Sequence, residues 1–188
     1  MATVVCRHQF NTSQFMRLGQ VGILPEGARV ELVHGEIIDM SPIGPTHSGI
    51  VNLLNRLLGP AVSKSWVLCV QNPIDLGEFD MPQPDICLAS WRKDAYRNRH
   101  PGPHDIGLII EVAETSLEFD TGAKRALYAS CGIVEYWVVD IPNQRIEVST
   151  GPGPNGYAST VVLAPGQAAC STTVEGLSLQ VAEIFPPA

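Results

Sequence analysis

Gly107-Leu108-Ile109-Ile110-Glu111-Val112-Ala113-Glu114 is the stretch whose reading decides the fold. Residues 108–113 are a short, β-branched run, apolar on both faces. That pattern predicts a strand buried on both sides of a sheet. Glu111 interrupts it. A carboxylate in such a strand costs several kcal/mol unless a counter-charge or a cation meets it. No basic residue adjoins it in sequence, so its partner comes from a distant part of the chain or from solvent.

Downstream, residues 120–131 read as a helix capped by Asp120 and stopped by Gly132. Residues 133–140 read as a strand rich in valine and aromatics, and residues 145–149 and 157–163 flank the turn Gly151-Pro152-Gly153-Pro154-Asn155-Gly156. Residues 177–188 form a tail that packs back on the core. Upstream, residues 83–89 are a strand containing Asp85, and residues 66–70 another. Residues 91–104 read as a helical turn and a loop. Thr46 caps a helix reaching about Leu58, residues 29–40 form a hairpin around His34-Gly35, and residues 11–21 form an N-terminal helix. The sum is a single α/β domain over residues 1–188, with a central mixed β-sheet flanked by helices in three layers and β-hairpins at both ends.

The chain of 188 residues is 45% hydrophobic and 16% charged, which suits one globular core. No apolar run reaches membrane-spanning length, and residues 1–10 have no apolar segment of a secretory signal. Cys6, Cys69, Cys87, Cys131 and Cys170 are dispersed without a C-x-x-C pair. They read as reduced, mostly buried thiols of a cytoplasmic protein. A net charge of −7 argues against a general nucleic-acid binder but allows a local basic patch.

Asp85 heads the strand before that of Glu111. Neighbouring strands lie about 5 Å apart, so carboxylates at matching heights can share one cation. Mg²⁺ prefers oxygen ligands and accepts one or two protein carboxylates with water and substrate phosphate. Lys124 sits one turn into the following helix, where a cation opposes the helix dipole, and Asp120, Lys124 and Tyr128 share a face at i, i+4 and i+8.

Pro84-Asp85, then Glu111, then a lysine resembles the PD-(D/E)xK nuclease superfamily. The usual lysine position, two residues after the Glu, is Ala113 here, so the match is to a variant with the lysine on the next helix. A longer ordered set runs through Glu31-Leu32-Val33-His34-Gly35-Glu36-Ile37, Met40-Ser41-Pro42, His47, Gln83-Pro84-Asp85 and Glu111-Val112-Ala113-Glu114-Thr115-Ser116. It continues through Asp120, Lys124 and Tyr128 to Gly132-Ile133-Val134-Glu135-Tyr136-Trp137-Val138-Val139-Asp140. In that order it resembles the Uma family of restriction-endonuclease-like proteins, over roughly residues 31–185. The resemblance implies a restriction-endonuclease-like core and a metal-dependent endonuclease hydrolysing phosphodiester bonds, with DNA as the expected substrate and Mg²⁺ (or Mn²⁺) as cofactor. It implies that Asp85, Glu111 and the main-chain carbonyl of Val112 hold the metal. Lys124 then orients water or stabilises developing charge, and Glu36 holds a metal water. Cores of this type often pair as homodimers.

Taken singly, these residues have plainer readings. Asp120 reads as an N-cap, Lys124 as a solvated lysine, Glu31 as exposed, and Tyr128 and Trp137 as core. Glu36 divides evenly between surface and site. His47 reads narrowly as a helix-start residue ahead of a substrate-contacting one. Arg92, Lys93, Arg97 and Arg99, with Trp91 and Tyr96 among them, read first as a solvated loop and second as a phosphate-contacting patch. The alternative function is a nuclease fold retained as a binding or regulatory module with little hydrolytic activity.

Overall fold

The computed structural model describes residues 7–62 and 64–186. Cys6, most of the stretch behind the signal-peptide reading, and the last two residues of the tail lie outside the described residues. Helix α1 (Thr12–Gln20) starts under Asn11. The Asn11 side chain accepts from the Gln14 N–H at 2.8 Å, and the Gln14 side chain accepts from the Asn11 N–H at 2.9 Å. Two orphan donors are thus satisfied reciprocally. Strands β1 (Val30–Val33) and β2 (Glu36–Asp39) form the expected hairpin. His34 and Gly35 turn it with φ of 53° and 73°, the left-handed pair that matches strand twist.

Helix α2 (Pro45–Ala61) starts earlier than Thr46, with Gly44 as cap and Pro45 in the first turn. Proline fits there because its missing N–H has no intrahelical acceptor and its φ is already helical.

The main sheet has the order β3-β4-β5-β6-β7-β8, from β3 (Trp66–Val70), β4 (Ile86–Ser90), β5 (Ile106–Ala113), β6 (Glu135–Asp140), β7 (Arg145–Gly153) and β8 (Gly156–Leu163). Neighbours are antiparallel except β5 and β6, which run parallel. A parallel pair needs a crossover. It is supplied by α3 (Leu117–Phe119), a π-helical segment Asp120–Lys124 and α4 (Arg125–Ser130). This helical run begins three residues before Asp120, so Asp120 is not its N-cap; it ends at Gly132, with φ of 77°.

β5 is buried at all eight positions, and alternation divides its side chains between two cores. Leu108, Ile110 and Val112 pack with α2 residues Ile50, Leu54 and Leu58, with Trp137, and with the tail. The tail pairs β9 (Ala168–Cys170) with β10 (Ser178–Gln180) and ends in α5 (Val181–Ile184). Ile109 and Ala113 point the other way, toward Leu127, Tyr128, Tyr136 and Val33 of the hairpin. Glu111 shares this second face by parity. A second buried acid, Glu135, is fully satisfied: its Oε2 accepts from Ser171, Thr172 and Thr173, and its Oε1 from the Trp137 indole at 2.8 Å. That binds the loop after β9 to the sheet. Of the cysteines, Cys69 and Cys87 are buried, whereas Cys170 is exposed, unlike the expectation. Among the described residues, no helix is long and apolar enough to cross a membrane.

Gly107 packs closely against Trp66 in β5. A Cβ there would stand well inside van der Waals contact with the Trp66 ring. Gly107→Ala is therefore expected to destabilise the fold by about 1–3 kcal/mol, the usual cost of overpacking. Chemical denaturation measures it, and a Gly107→Ala/Trp66→Leu double variant is expected to recover part of the loss.

Candidate active site

The antiparallel register of β4 and β5 brings the two acids together. Ile86 pairs with Ile110, so Asp85 and Glu111 stand opposite each other, both on the second face. The Asp85 N–H donates to Glu111 Oε2 at 3.3 Å, and the Val112 N–H donates to Asp85 Oδ2 at 2.9 Å. Lys124 reaches them from the crossover. Its Nζ lies 3.0 Å from Glu111 Oε1, and Tyr128 Oη donates to the same oxygen at 2.9 Å. The π-helical segment carries both Asp120 and Lys124 inward, 3.9 Å apart, with the Lys124 ammonium over the Phe119 ring at 5.7 Å.

The partner from the hairpin is Glu31, not Glu36. Glu31 is buried, and its Oε2 lies 3.1 Å from Lys124 Nζ and accepts from the Gln83 N–H at 3.1 Å. Glu36, the expected holder of a metal water, is exposed beside the turn and lies 3.5 Å from Arg7. The expectation of an exposed Glu31 is likewise corrected. The burial arises because β1 docks through a bridge between Leu32 and Met81, a contact that closes over the Lys124 face.

His47 belongs to the cluster as well. It sits in the first turn of α2, and its Nε2 is 3.2 Å from Asp85 Oδ2, while Gln71 Nε2 donates to Asp85 Oδ1 at 3.0 Å. His47 Nδ1 is buried without a partner. The basic loop lies elsewhere. Asp85 precedes β4 and Arg92 follows it, and five strand residues span about 17 Å. Arg92 pairs with Asp94 and Arg99 with Asp105, and both guanidinium groups flank the Tyr96 ring. Lys93 and Arg97 are exposed in the same loop. The four residues expected at the substrate therefore gather at the far end of the strand, where two of them are neutralised by their own neighbours.

The electrostatics of the cluster follow from an excess of acid. Three carboxyls, of Glu31, Glu111 and Asp120, surround the one lysine ammonium, and a fourth, of Asp85, stands beside Glu111. Burial, reinforced by Asp120, Asp85 and Glu31 and opposed by Lys124, pushes Glu111 up to about 8. Burial raises Asp120 too, against the pull of Lys124 and the Ser116 hydroxyl. Burial would lower Lys124, but Glu111, Glu31 and Asp120 together lift it above its ordinary value. Burial would raise Asp85, yet His47, Gln71 and the Val112 N–H hold it below the usual range. The same hydrogen bond to Asp85 raises His47 against its own burial.

Oxygen donors fit a hard divalent cation here. Asp85 Oδ1 and Glu111 Oε2 each accept one hydrogen bond, and so keep a second acceptor position open. Continuing the ladder from Ile86–Ile110 places Pro84 opposite Val112. Proline has no N–H, so the Val112 carbonyl loses the donor that an ordinary residue would supply. Among the described residues, no three His, Cys, Asp or Glu side chains form a ready ligand cage. Two carboxylates and one carbonyl are the sparse protein share typical of Mg²⁺, which keeps its waters. A pocket of about 290 Å³ opens onto these atoms, lined by Glu31, Asp39, Asp85, Glu111, Glu114 and Asp120 against Arg29, His47 and Lys124.

The architecture has a close counterpart of known structure. A crystal structure from Anabaena variabilis, described as a "putative nuclease belonging to DUF820", superposes with a TM-score of 0.67 at 19% identity, covering 94% of this chain and 97% of that one. At that identity the likeness shows the fold. None of the curated proteins compared with the sequence matches it. Residues 12–182 match the Uma2 family model, described as "Putative restriction endonuclease". With nearly its whole length matched, this chain belongs to the Uma2 family.

Proposed function

We propose that this chain is a metal-dependent nuclease that hydrolyses phosphodiester bonds, with DNA as its substrate. The observation that carries the reading is the meeting of Asp85 and Glu111, across adjoining strands, with the Lys124 ammonium 3.0 Å from Glu111. Asp85, Glu111 and the Val112 carbonyl would hold Mg²⁺ or Mn²⁺. Such an ion, when bound, lowers the pKa of water and offsets charge on the phosphate.

The protein's own groups do the positioning. Lys124 has three N–H donors, and Glu31 and Glu111 take two of them. The third is left to orient the attacking water. Tyr128 fixes Glu111 through Oε1, and His47 and Gln71 fix Asp85, so neither carboxylate must reorganise as the reaction proceeds. A second reading, a binding module with this fold and little hydrolysis, draws support from the acidic pocket and the self-paired basic loop.

Incubation of plasmid and single-stranded DNA with Mg²⁺ or Mn²⁺ separates the two. Wild type is expected to cleave, and Asp85→Asn and Lys124→Met to lose about 100-fold or more in rate. Metal binding without cleavage favours the binding module, and cleavage that survives both substitutions marks a contaminant.

The same lysine makes a second prediction, on stability. Lys124→Met leaves buried acid without its counter-charge, so the metal-free variant is expected to lose about 3–5 kcal/mol at pH 8 by denaturation. Glu111 binds its proton more tightly folded than unfolded. Its contribution to stability is therefore whole below the unfolded carboxyl range and fades as pH rises through about 8. The deficit of Lys124→Met should consequently shrink on acidification to pH 5, and Glu111→Gln added to it should restore part of the loss at pH 8.

A further inference from the structure

We infer that Arg29 is the substrate-phosphate contact of this pocket, a role that rests on the nuclease reading above. Three basic residues line the cavity. Lys124 is committed to Glu31 and Glu111, and His47 to Asp85. Arg29 differs. Among the described residues, no carboxylate lies within ion-pair distance of it. It is half-buried and lines the same pocket as His47 and Asp85.

Its position is fixed rather than adventitious. The Met40 N–H donates to the Arg29 carbonyl at 2.9 Å, pinning the backbone at the open end of the β1–β2 hairpin. Arg29 Nη1 donates to the Ser41 carbonyl at 2.7 Å, which holds the guanidinium against the Ser41–Gly44 rim. One of its five N–H donors is used there, and a guanidinium presents the remainder in a fork that matches phosphate oxygens. A polyanion entering a pocket lined by six acidic residues needs fixed positive charge at the wall, and this is the uncommitted one. The basic loop at residues 92–99 lies at the other end of β4 and cannot supply it.

The test is binding of a short DNA duplex, with Ca²⁺ in place of Mg²⁺ to prevent turnover, over about 50–200 mM salt, beside cleavage kinetics with Mg²⁺. Wild type, Arg29→Gln and Arg29→Lys are compared, with thermal melting of each. Arg29→Gln is expected to raise KM about tenfold with kcat little changed, and to reduce the salt slope by about 1. Arg29→Lys should keep the slope and recover part of KM. If wild type cleaves and Arg29→Gln shows its KM and its slope, the assignment of Arg29 is overturned and the nuclease reading stands. Loss of kcat or of melting temperature with slope and KM unchanged makes Arg29 a rim strut and overturns it equally. A wild type that neither binds nor cleaves DNA overturns the nuclease reading and this inference together.

Discussion

The Lys124 ammonium, held between Glu31 and Glu111, is the contact on which the architecture turns. A strand buried on both faces cannot carry an ionised glutamate unless charge and hydrogen bonds arrive from outside it. Here they arrive from three directions. The crossover supplies Lys124 and Tyr128, the neighbouring strand supplies the Asp85 N–H, and the hairpin closes the far side with Glu31. One lysine thereby ties together the sheet, the crossover and the hairpin. The arrangement remains unbalanced, since four carboxyls exceed one ammonium, and that imbalance gives the cluster an appetite for further positive charge.

Such a cluster costs stability, and the fold meets the cost elsewhere. Buried ion pairs gain little over apolar packing of the same volume. The opposite face of the sheet is wholly apolar at Leu108, Ile110 and Val112, and it is covered by α2 and the tail. Glu135 offers a contrast within the same sheet. It is equally buried, yet hydroxyls, main-chain N–H groups and an indole satisfy it without a counter-ion. One acid is closed off as structure, while the other is left with an open acceptor position facing a pocket.

How much of this was legible in the sequence depends on the range of the rule involved. A short β-branched run, apolar on both faces, identified β5 within residues 108–113, and the Pro-Asp at the head of the preceding strand identified Asp85, because both signals are local. The crossover helix was legible in outline, but its start was not. Capping preference favoured Asp120, whereas the chain enters the helix at Leu117 and widens into a π-helical segment, which has no sequence rule as sharp as a cap. Glu31 was harder still. Glu31, Val33, Glu36 and Ile38 share one face of the hairpin, so alternation cannot separate the two glutamates. What separates them is depth beneath a contact with residues 81–83, some fifty positions away in the chain.

The basic loop, read first as a solvated loop, shows that closeness in sequence is not closeness in space. Residues 92–99 follow Asp85 within a few positions, but a strand is a rigid spacer of about 3.3 Å per residue. Its two ends belong to opposite edges of the sheet. The chain also neutralises that loop internally, through Asp94 and Asp105. His47 is the converse. It is distant from Asp85 in sequence, on a helix of the opposite layer, yet it meets Asp85 because the first turn of α2 and the first residue before β4 lie at the same edge. Sites in layered α/β folds gather where strands end and helices begin, since there backbone groups are free of the ladder and side chains from both layers can converge. Pro84 sharpens that rule in this chain: by withholding an N–H it ends the ladder one step early, and leaves the Val112 carbonyl beside the two acids rather than bound within the sheet.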